Sequence, residues 1–450
     1  MREILPAQLQ RLAKSSATPV YVVGGSVRDY LARAYTPSCD WDICSPMLAE
    51  DFASLAKSNG FIVRAVYKNT GTVKLADTDG VEYEYTSFRS DTYVRGTHVP
   101  VEIFFTDDIR LDATRRDFTA NAVYYDIKNE TFVDPLDGIT AIKEKRLTTV
   151  CDAKKVFSED GLRLMRLARQ SAQLGFLPDD NCLHGARLHA HLIKDISPER
   201  IFAELTAILH ADEKYGISSA PYDGLYMLET TGVLAHILPE LALGKGMAQR
   251  SDFHKYDVLE HSFRAVLYAK PTVRLASLLH DVGKPLCQLR DGNVHAHPIE
   301  GVALARDILS RLKAPNRVKE RVCDLIQWHM YDMDCKTGEN KLRRFFVSHA
   351  ELLPDLLDIK QADFSACTDD LSTAPTVLKW TALLEKMRLE RVPFSLRGLA
   401  VNGNDLIDIG IEKTKLAQVL HALLMHVAVS PKDNEKERLL RLAIQLSKTI

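Results

Sequence analysis

The feature that most constrains the fold is a change of hydrophobic pattern near residue 150. Before it, short runs rich in Val, Tyr, Phe and Thr, such as "VYVVGG", "TVKLAD" and "VEYEYTSF", alternate with helical patterns such as "SVRDYLARAY" and "EDFASLAKSNG". From about Lys154 onward the pattern is almost purely helical, as in "DGLRLMRLARQSAQLGF". We therefore predict an α+β protein, in which a head with a mixed sheet and helices precedes a long helical remainder.

Composition narrows the class and the compartment. A chain of 450 residues is too long for one ordinary core, and 46% hydrophobic with 26% charged residues is typical of soluble globular proteins. No run approaches the roughly eighteen apolar residues of a membrane span, and the N-terminus resembles an amphipathic helix more than a signal peptide. Eight cysteines without a CxxC pair favour a reducing compartment. We expect a cytoplasmic protein without membrane association, whose oligomeric state the sequence does not indicate.

Two glycines and two aspartates near the N-terminus predict a phosphate-handling site. Asp40 and Asp42 lie two apart on a predicted strand, so their carboxylates face the same side, and such a pair suits Mg²⁺ together with substrate phosphates. Gly24 and Gly25 let backbone N–H groups approach those phosphates, and Arg28 follows one helical turn later. A lone Gly-Gly is usually a turn and a lone Asp-x-Asp a surface pair, but their order and separation favour metal-assisted nucleotidyl transfer.

These residues carry a family resemblance. "GGSVRD" followed by "CDWDI" resembles the head of the class II tRNA nucleotidyltransferase and bacterial poly(A) polymerase family, within the polymerase-β-like superfamily. Four later segments match the same family in order over about the first 205 residues: "YEYTSFRSD", "RRDFTANAVYYD", "DPLDG" and "FSEDGLRLMRLARQSAQLGF".

The resemblance implies roles for individual residues. Asp40 and Asp42 would be catalytic metal ligands, and Glu84 would be the third acidic position, although a salt bridge on the sheet face explains Glu84 nearly as well. The further residues implied to bind the incoming nucleotide are Gly24, Gly25, Arg28, Arg116, Asp117, Asn121, Asp160, Arg163 and Arg166. Taken alone, "RRD" would be better explained as a helix-capping salt bridge.

The neck motif "EDGLR" bears on substrate choice. Asp160 and Arg163 are spaced i, i+3, which predicts one helix face, where a carboxylate acceptor beside a guanidinium donor offers a hydrogen-bonding edge to a base. In the resembling CCA-adding enzymes this pair recognises cytosine or adenine, whereas an isolated pair would be an ordinary ion pair. Poly(A) polymerases depart from this form. The segment from Arg89 to Thr114 matches the family's flexible loop in length, which favours full CCA addition.

Histidines and aspartates in the helical part predict a second metal site. The segments "VLEHSFRAV", "RLASLLHDVGKP", "HAHPIEGVALA", "LIQWHMYD" and "KQADFSAC" follow the order of ligands in the HD phosphohydrolase domain, over roughly residues 220 to 365. The implied ligands are His261, His280, Asp281 and Asp363 for one metal and His297 and His329 for a second. His254 and His295 are alternatives at two positions, and Lys284 would bind a phosphate. Imidazole and carboxylate ligands fit Fe, Mn, Ni, Zn or Mg.

The resemblances together imply four regions. Residues 1–150 would be the nucleotidyltransferase head, 151–215 a neck that recognises the base, 216–365 a body with the HD domain, and 366–450 a helical tail that docks tRNA. In the tail, Gly403-x-Asp405 is typical of a helix cap. A net charge of −2 excludes a general polyanion-coating role but permits local basic tracks.

The implied function is template-independent addition of C, C and A to tRNA from CTP and ATP, with pyrophosphate release and Mg²⁺ at the head site. A bacterial poly(A) polymerase, or an enzyme that adds only CC or only A, is the first alternative. The second is an HD phosphodiesterase or phosphatase whose head senses nucleotides. A possible phosphohydrolase activity of the HD domain accompanies the main interpretation.

Overall fold

A computed structural model of the chain describes residues 1–34, 41–93 and 101–449. These residues form two compact units. The first comprises residues 1–242 with 311–313, and the second comprises residues 243–310 with 314–450. Within the described ranges, no helix is both long enough and apolar enough to cross a bilayer.

The first unit contains the predicted strands and helices of the head, together with the helices of the neck. Its strands are β1 (Tyr21–Val23), β2 (Trp41–Ser45), β3 (Ile62–Tyr67), β4 (Thr72–Ala76), β5 (Glu82–Ser87), β6 (Arg89–Thr92), β7 (Glu102–Phe105), β8 (Tyr124–Asp126), β9 (Thr131–Val133), β10 (Arg146–Leu147) and β11 (Leu177–Pro178). Its helices are α1 (Ala7–Ser15), α2 (Gly25–Leu31), α3 (Ala49–Ser58), α4 (Ile109–Thr114), α5 (Gly138–Lys143), α6 (Ala153–Glu159), α7 (Leu162–Leu174), α8 (Asp180–His189), α9 (Pro198–Leu209), α10 (Asp212–Tyr215), α11 (Ala220–Thr230), α12 (Leu234–Ile237) and α13 (Pro239–Ala242).

A seven-stranded mixed sheet organises the described part of the head. Its strand order is β3-β4-β5-β2-β1-β8-β9, and β2 runs parallel to β5 while the other neighbours are antiparallel. Side chains of β5 alternate between the two faces: Tyr83 and Tyr85 are buried, whereas Glu82 and Glu84 are exposed. The Tyr85 ring stacks on Phe52 of α3 with centroids 3.6 Å apart. The helical layer thus covers one face and leaves the acidic side chains of β5 on the other.

Helix α7 is the main helix of the neck. Its buried positions include Leu164, Met165, Leu167 and Ala168, so an apolar stripe faces the core of the first unit. Polar side chains of the same helix remain available for the wall of a cavity, which is described below. The helix ends at Gly175, whose φ of +62° is typical of a glycine C-cap.

The second unit is helical throughout its described residues. Its helices are α14 (Val258–Tyr268), α15 (Arg274–Leu279), α16 (Lys284–Asp291), α17 (His297–Arg311), α18 (Asn316–Trp328), α19 (Glu339–Ser348), α20 (Leu353–Thr368), α21 (Pro375–Leu389), α22 (Gly403–Asp408), α23 (Leu416–Val429) and α24 (Lys436–Ser447). The predicted cap in the tail is confirmed, because Asn402 and Asp405 form a reciprocal capping box at the start of α22.

Candidate active site and metal centre

A glycine turn lies directly against a carboxylate in the head. Gly24 joins β1 to α2 with φ +81°, and a Cβ atom at this position would lie 2.9 Å from Asp42 Oδ2. Val23 pairs in register with Asp42, which fixes this approach. Only glycine combines that backbone conformation with so close a neighbour. The predicted partner of Asp42, Asp40, lies outside the described residues.

Asp42 and Glu84 are neighbours on the exposed face of the sheet. They pair in register on the parallel strands β2 and β5, and both side chains are exposed. Neighbouring strands lie about 4.8 Å apart, so the two carboxylates form a cross-strand pair of adjacent side chains. Lys74 Nζ also lies 4.0 Å from Glu84 Oε2, so the salt bridge expected as an alternative is present too. Adjacent carboxylates of this kind fit a hard divalent cation.

A cavity of about 540 Å³ extends from the glycine turn to the neck. Among the described residues that line it, seven basic side chains face three acidic ones, a balance that favours a polyanionic ligand. The lining residues are Gly24, Gly25, Ser26, Arg28, Asp42, Arg115, Arg116, Asp117, Asn121, Asp160, Arg163, Arg166, Arg169, Gln170, Gln173, Leu174, Lys214 and Tyr215. The cavity therefore brings together every predicted nucleotide-binding residue and Asp42.

A buried hydrogen-bond network joins the predicted phosphate and ribose residues. Arg28 Nη1 donates to Asn121 Oδ1 at 2.7 Å, and Asn121 Nδ2 donates to Asp117 Oδ1 at 2.8 Å. Arg166 Nη2 lies 2.6 Å from Asp117 Oδ2, which also accepts from Gln170. Burial alone would raise the pKa of Asp117, but Arg166 and the surrounding hydrogen bonds hold that pKa well below its usual range. Much of the hydrogen-bonding capacity of these residues is thus directed at one another.

The first two residues of "RRD" belong to an ion-pair cluster. Arg115 Nε and Arg116 Nη2 lie 2.8 and 3.2 Å from the two oxygens of Asp112, a fully buried residue of α4. Tyr124 donates its hydroxyl to the same carboxylate at 2.8 Å. Both arginines also line the cavity. The structural role expected for an isolated "RRD" is therefore present beside the cavity-lining one.

The predicted placement of Asp160 and Arg163 on one helix face is wrong. Asp160 is extended, with φ −141° and ψ 106°, and lies between α6 and α7. Its carboxylate accepts the Leu162 N–H at 2.9 Å, because the start of α7 needs a partner for its free N–H groups. Arg163 lies in α7 and donates to the carbonyls of Val156 and Arg115. The two residues nevertheless line the same cavity.

Several lining residues were not identified from the sequence. Gln170 follows Arg166 by four residues on α7, a helical spacing that could have indicated it. Asp112, which holds two lining arginines without lining the cavity itself, stands three and four residues before them, a helical spacing that could have indicated both pairs. Lys214 and Tyr215 of α10 belong to no motif, and only the tertiary fold brings them to the cavity.

In the second unit, His261, His280 and Asp363 form a buried cluster. The ring atoms His261 Nε2 and His280 Nε2 are 3.1 Å apart, and they lie 3.1 and 3.5 Å from Asp363 Oδ1. These three residues come from α14, the end of α15 and α20. Their ligand atoms all lie within 4.8 Å of one another, a spacing that could hold a metal ion.

Asp281 connects this cluster to a second one. Its Oδ2 atom lies 3.3 Å from His280 Nε2, while its Oδ1 atom lies 3.3 Å from His297 Nε2 and 4.0 Å from His329 Nε2. A Cβ atom on Gly283 would lie 2.4 Å from the His297 carbonyl, so glycine in "HDVG" permits the approach of α17. His295, the alternative to His297, is exposed. One carboxylate thus faces two groups of imidazoles.

The histidine tautomers fit a metal site. The Nδ1 atoms of His280, His297 and His329 each bond a backbone carbonyl at 2.7 Å, and since a carbonyl only accepts, Nδ1 carries the hydrogen. In a neutral ring of this kind, Nε2 carries a lone pair. His297 Nε2 and His329 Nε2 lie 3.3 Å apart. Two such Nε2 atoms can act together as ligands of one cation.

The electrostatics of the cluster favour positive charge beside the carboxylates and a neutral imidazole at the far end. Burial works against a charged His280, but Asp281 and Asp363 raise its pKa to about 10. Burial and the neighbouring imidazoles lower the pKa of His329 to about 3. The carboxylates draw positive charge into the cluster, while the far imidazole remains neutral and able to act as a ligand.

Two predicted neighbours of the cluster have clear positions. His254 stands edge-on to His261 with ring centroids 5.0 Å apart, and its Nδ1 atom lacks a hydrogen-bond partner among the described residues. Lys284 Nζ lies 2.6 Å from Asp281 Oδ2 and donates to Gln249 Oε1 at 2.7 Å. Lys284 therefore lies at the cluster, as its expected contact with a phosphate would require.

Comparisons with known proteins match the regions that contain the two sites. Residues 20–148 match the poly A polymerase head domain, and residues 258–363 match the HD domain. Residues 175–243 match the probable RNA and SrmB-binding site of polymerase A.

Relatives resemble the chain over most of its length. It is 31% identical to the A-adding tRNA nucleotidyltransferase of Deinococcus radiodurans, over 77% of this chain and 76% of that one. It is 27% identical to the CCA-adding enzyme of Anoxybacillus flavithermus, over 93% and 91%. The crystal structure of the Bacillus stearothermophilus CCA-adding enzyme in complex with CTP superposes with a TM-score of 0.68, at 24% identity over 99% of both chains. With a nucleotidyltransferase head and an HD domain, this chain is an enzyme that belongs to the tRNA nucleotidyltransferase family.

Proposed function

We propose that this enzyme adds C, C and A in turn to the 3′ end of tRNA, using CTP and ATP without a nucleic-acid template. The observation that carries this proposal is the single cavity that joins Gly24, Gly25 and Asp42 to Asp160 and Arg163. One wall suits a triphosphate and the other offers an acceptor and a donor to a base. Among the similar proteins, the CCA-adding enzymes and the complex with CTP agree with it, whereas the name of the A-adding relative corresponds to the first alternative.

In the head, we assign the metal-holding role to Asp42 and Glu84, together with Asp40. Bound Mg²⁺ ions would lower the pKa of the tRNA 3′-hydroxyl and neutralise charge on the leaving pyrophosphate. The glycine turn exposes backbone N–H groups to the triphosphate, and the basic cavity wall orients it. The chain itself supplies positioning and electrostatic stabilisation, which account for most of the catalysis in phosphoryl transfer.

For the base, we assign recognition to Asp160 and Arg163. Arg163 is held by the carbonyls of Val156 and Arg115 and by Glu159. This anchoring supports recognition by a preorganised edge. The ribose of the incoming nucleotide would be oriented by the buried hydrogen-bond network of Asp117, Asn121 and Arg166. Arg116, held by Asp112, would add charge to the cavity.

The first experiment determines which nucleotides are added. A tRNA that lacks its last three nucleotides is incubated with Mg²⁺ and with CTP alone, ATP alone or both, and the products are resolved at single-nucleotide resolution. We expect two additions with CTP and three with both. Addition of A only to a tRNA that already ends in CC would indicate an A-adding enzyme. Long tails with ATP would indicate a poly(A) polymerase.

For the second unit, we propose a binuclear metal site with phosphohydrolase activity. His261, His280 and Asp363 would hold one ion, His297 and His329 the other, and Asp281 both. A bound Fe, Mn, Ni, Zn or Mg ion would supply a nucleophilic water at neutral pH. Lys284 would neutralise a phosphate beside Asp281. The observation that favours this second activity is the close approach of buried histidine Nε2 atoms, 3.1 Å apart for His261 and His280 and 3.3 Å apart for His297 and His329.

The corresponding experiment measures metal content by mass spectrometry and hydrolysis of a 2′,3′-cyclic phosphate. We expect up to two ions per chain in the wild type and none in Asp281→Asn, with hydrolysis lost and CCA addition retained. Loss of CCA addition in Asp281→Asn would contradict separate sites.

We also assign the enzyme to the cytoplasm. The cysteines among the described residues are all free, which agrees with a reducing compartment.

A further inference from the structure

The short helix α10 supplies two side chains to the cavity that no sequence motif indicated. Lys214 and Tyr215 follow the neck helix α9 in the chain and line the same cavity as the glycine turn. Both side chains contact α2, the helix that begins at that turn. The contacts converge on one residue, Asp29.

Asp29 is a buried carboxylate shared between α2 and α10. Its side chain is 0% exposed, and its Oδ1 atom accepts from Arg28 Nε and Nη2 at 3.0 and 2.7 Å. Its Oδ2 atom accepts from the Tyr215 hydroxyl at 2.7 Å and lies 3.1 Å from Lys214 Nζ. A buried charge is tolerated only with such a full set of partners. Two of these partners come from α10.

Tyr215 also completes the surroundings of Arg28. Arg28 Nη2 donates to the Tyr215 hydroxyl at 3.0 Å, so this hydroxyl accepts from Arg28 and donates to Asp29. Arg28 is 8% exposed, and its Nη1 atom is held by Asn121 at 2.7 Å. Asp29, Asn121 and Tyr215 therefore fix the orientation of the Arg28 guanidinium together.

We propose that Tyr215 and Lys214 are positioning residues for the triphosphate of the incoming nucleotide. They hold Asp29, and through it Arg28 and the start of α2, which line the cavity beside the glycine turn. The proposal rests on the nucleotidyl transfer described above. Because this network lies at the phosphate end, its loss weakens binding of CTP, ATP and pyrophosphate by the same factor. Arg163 makes its hydrogen bonds with Val156, Glu159 and Arg115, so base choice does not change.

The test compares Tyr215→Phe with Tyr226→Phe in the full-length chain. Tyr226 is a 51% exposed tyrosine of α11 and serves as the matched control. KM and kcat are measured for CTP and ATP on trimmed tRNA, and KM for pyrophosphate in the reverse reaction. For Tyr215→Phe we expect all three KM values to rise about tenfold, equivalent to about 1.4 kcal/mol of binding, with kcat and the CTP-to-ATP preference unchanged.

Lys214 provides a second variant that keeps more of the fold intact. Its side chain is partly exposed, so Lys214→Met should fold normally, and we expect a smaller, parallel rise of the three KM values. Lys214→Arg should restore them. Lys194→Met, at an exposed position on the same unit, is the control.

The outcomes separate the inference from the proposed function. A wild-type chain that extends no tRNA would overturn the proposed function. An active wild type with Tyr215→Phe and Lys214→Met matching their controls would overturn the inference alone. So would a change confined to kcat, or one that differs between CTP and ATP.

Discussion

The head and the second unit place their candidate metal ligands in opposite environments. In the head, Asp42 and Glu84 lie on an exposed sheet face, and the cavity beside them is open. In the second unit, six imidazole and carboxylate side chains are buried together, and three of the rings are fixed by backbone carbonyls. The first arrangement leaves coordination positions for a substrate, whereas the second already provides a nearly complete ligand set. A transient ion that arrives with the nucleotide and a resident ion thus require different protein environments.

Replacing Asp42 by Asn should break the head site alone. We expect addition to fall roughly a thousandfold, or about 4 kcal/mol of transition-state stabilisation, because a proposed metal ligand is lost. The metal content of the second unit should not change. Single-turnover extension of trimmed tRNA and mass spectrometry measure the two quantities. Asp51→Asn, at an exposed position on α3, is the control. Unchanged addition would show that the head's acidic face does not act in the chemistry.

Replacing Asp117 by Asn should show that the head site also has a rigid, buried part. We expect the free energy of unfolding of the first unit to fall by about 2 kcal/mol, because the Arg166 guanidinium keeps its charge but loses its carboxylate partner. The folded pKa of Asp117 is lowered, so its contribution is present above the unfolded value of about 3.9 and is lost as pH falls below it.

Urea unfolding followed at several pH values tests this sign. The difference between wild type and Asp117→Asn should be constant from neutral pH to about pH 5 and shrink below about pH 4. A difference that grew with acid would contradict it. Asp195→Asn, an exposed position in the same unit, should match the wild type throughout.

Replacing Glu84 by Gln separates its two explanations. If Glu84 helps to hold the metal, we expect a fall in addition of about tenfold, since one ligand of several is weakened. If it serves only the pair with Lys74, then Glu84→Gln and Lys74→Met should behave alike, because an exposed pair contributes at most about 1 kcal/mol to stability. We expect only Glu84→Gln to slow addition in single-turnover assays.

Replacing His297 by Gln should have the smallest effect, confined to one ion of the second unit. We expect the metal content to fall by one ion per chain while the His261 cluster keeps its own. His295→Gln is the matched control, since that ring is exposed two residues away. Equal metal content in the two variants would exclude His297 as a ligand.

Local periodicity predicted much of the head. The strands β1, β2, β4 and β5 and the helices α2 and α3 lie where the sequence pattern placed them, because each buries several side chains in the core of the head. The hairpin of β8 and β9 was not predicted. These strands have three residues each, too few for alternation to stand out, and their place beside β1 depends on tertiary pairing.

The sites followed a similar division. The ligand order of the second unit was predictable because metal ligands must be particular residue types. The relative placement of Asp160 and Arg163 was not predictable, because the chain leaves the helical conformation between α6 and α7. Asp160 there accepts a hydrogen bond from a free N–H group at the start of α7. Nor could the partners of Asp29 be inferred, since Lys214 and Tyr215 lie about 185 residues away in sequence and the contact arises only from the tertiary fold.

The contact between Gly24 and Asp42 also limits how this enzyme can evolve. Any side chain at position 24 would press on the Asp42 carboxylate as well as strain the backbone, so no neutral path leads away from glycine while the chemistry is under selection. A descendant with another residue at this position should therefore have a strained turn and a displaced Asp42 carboxylate.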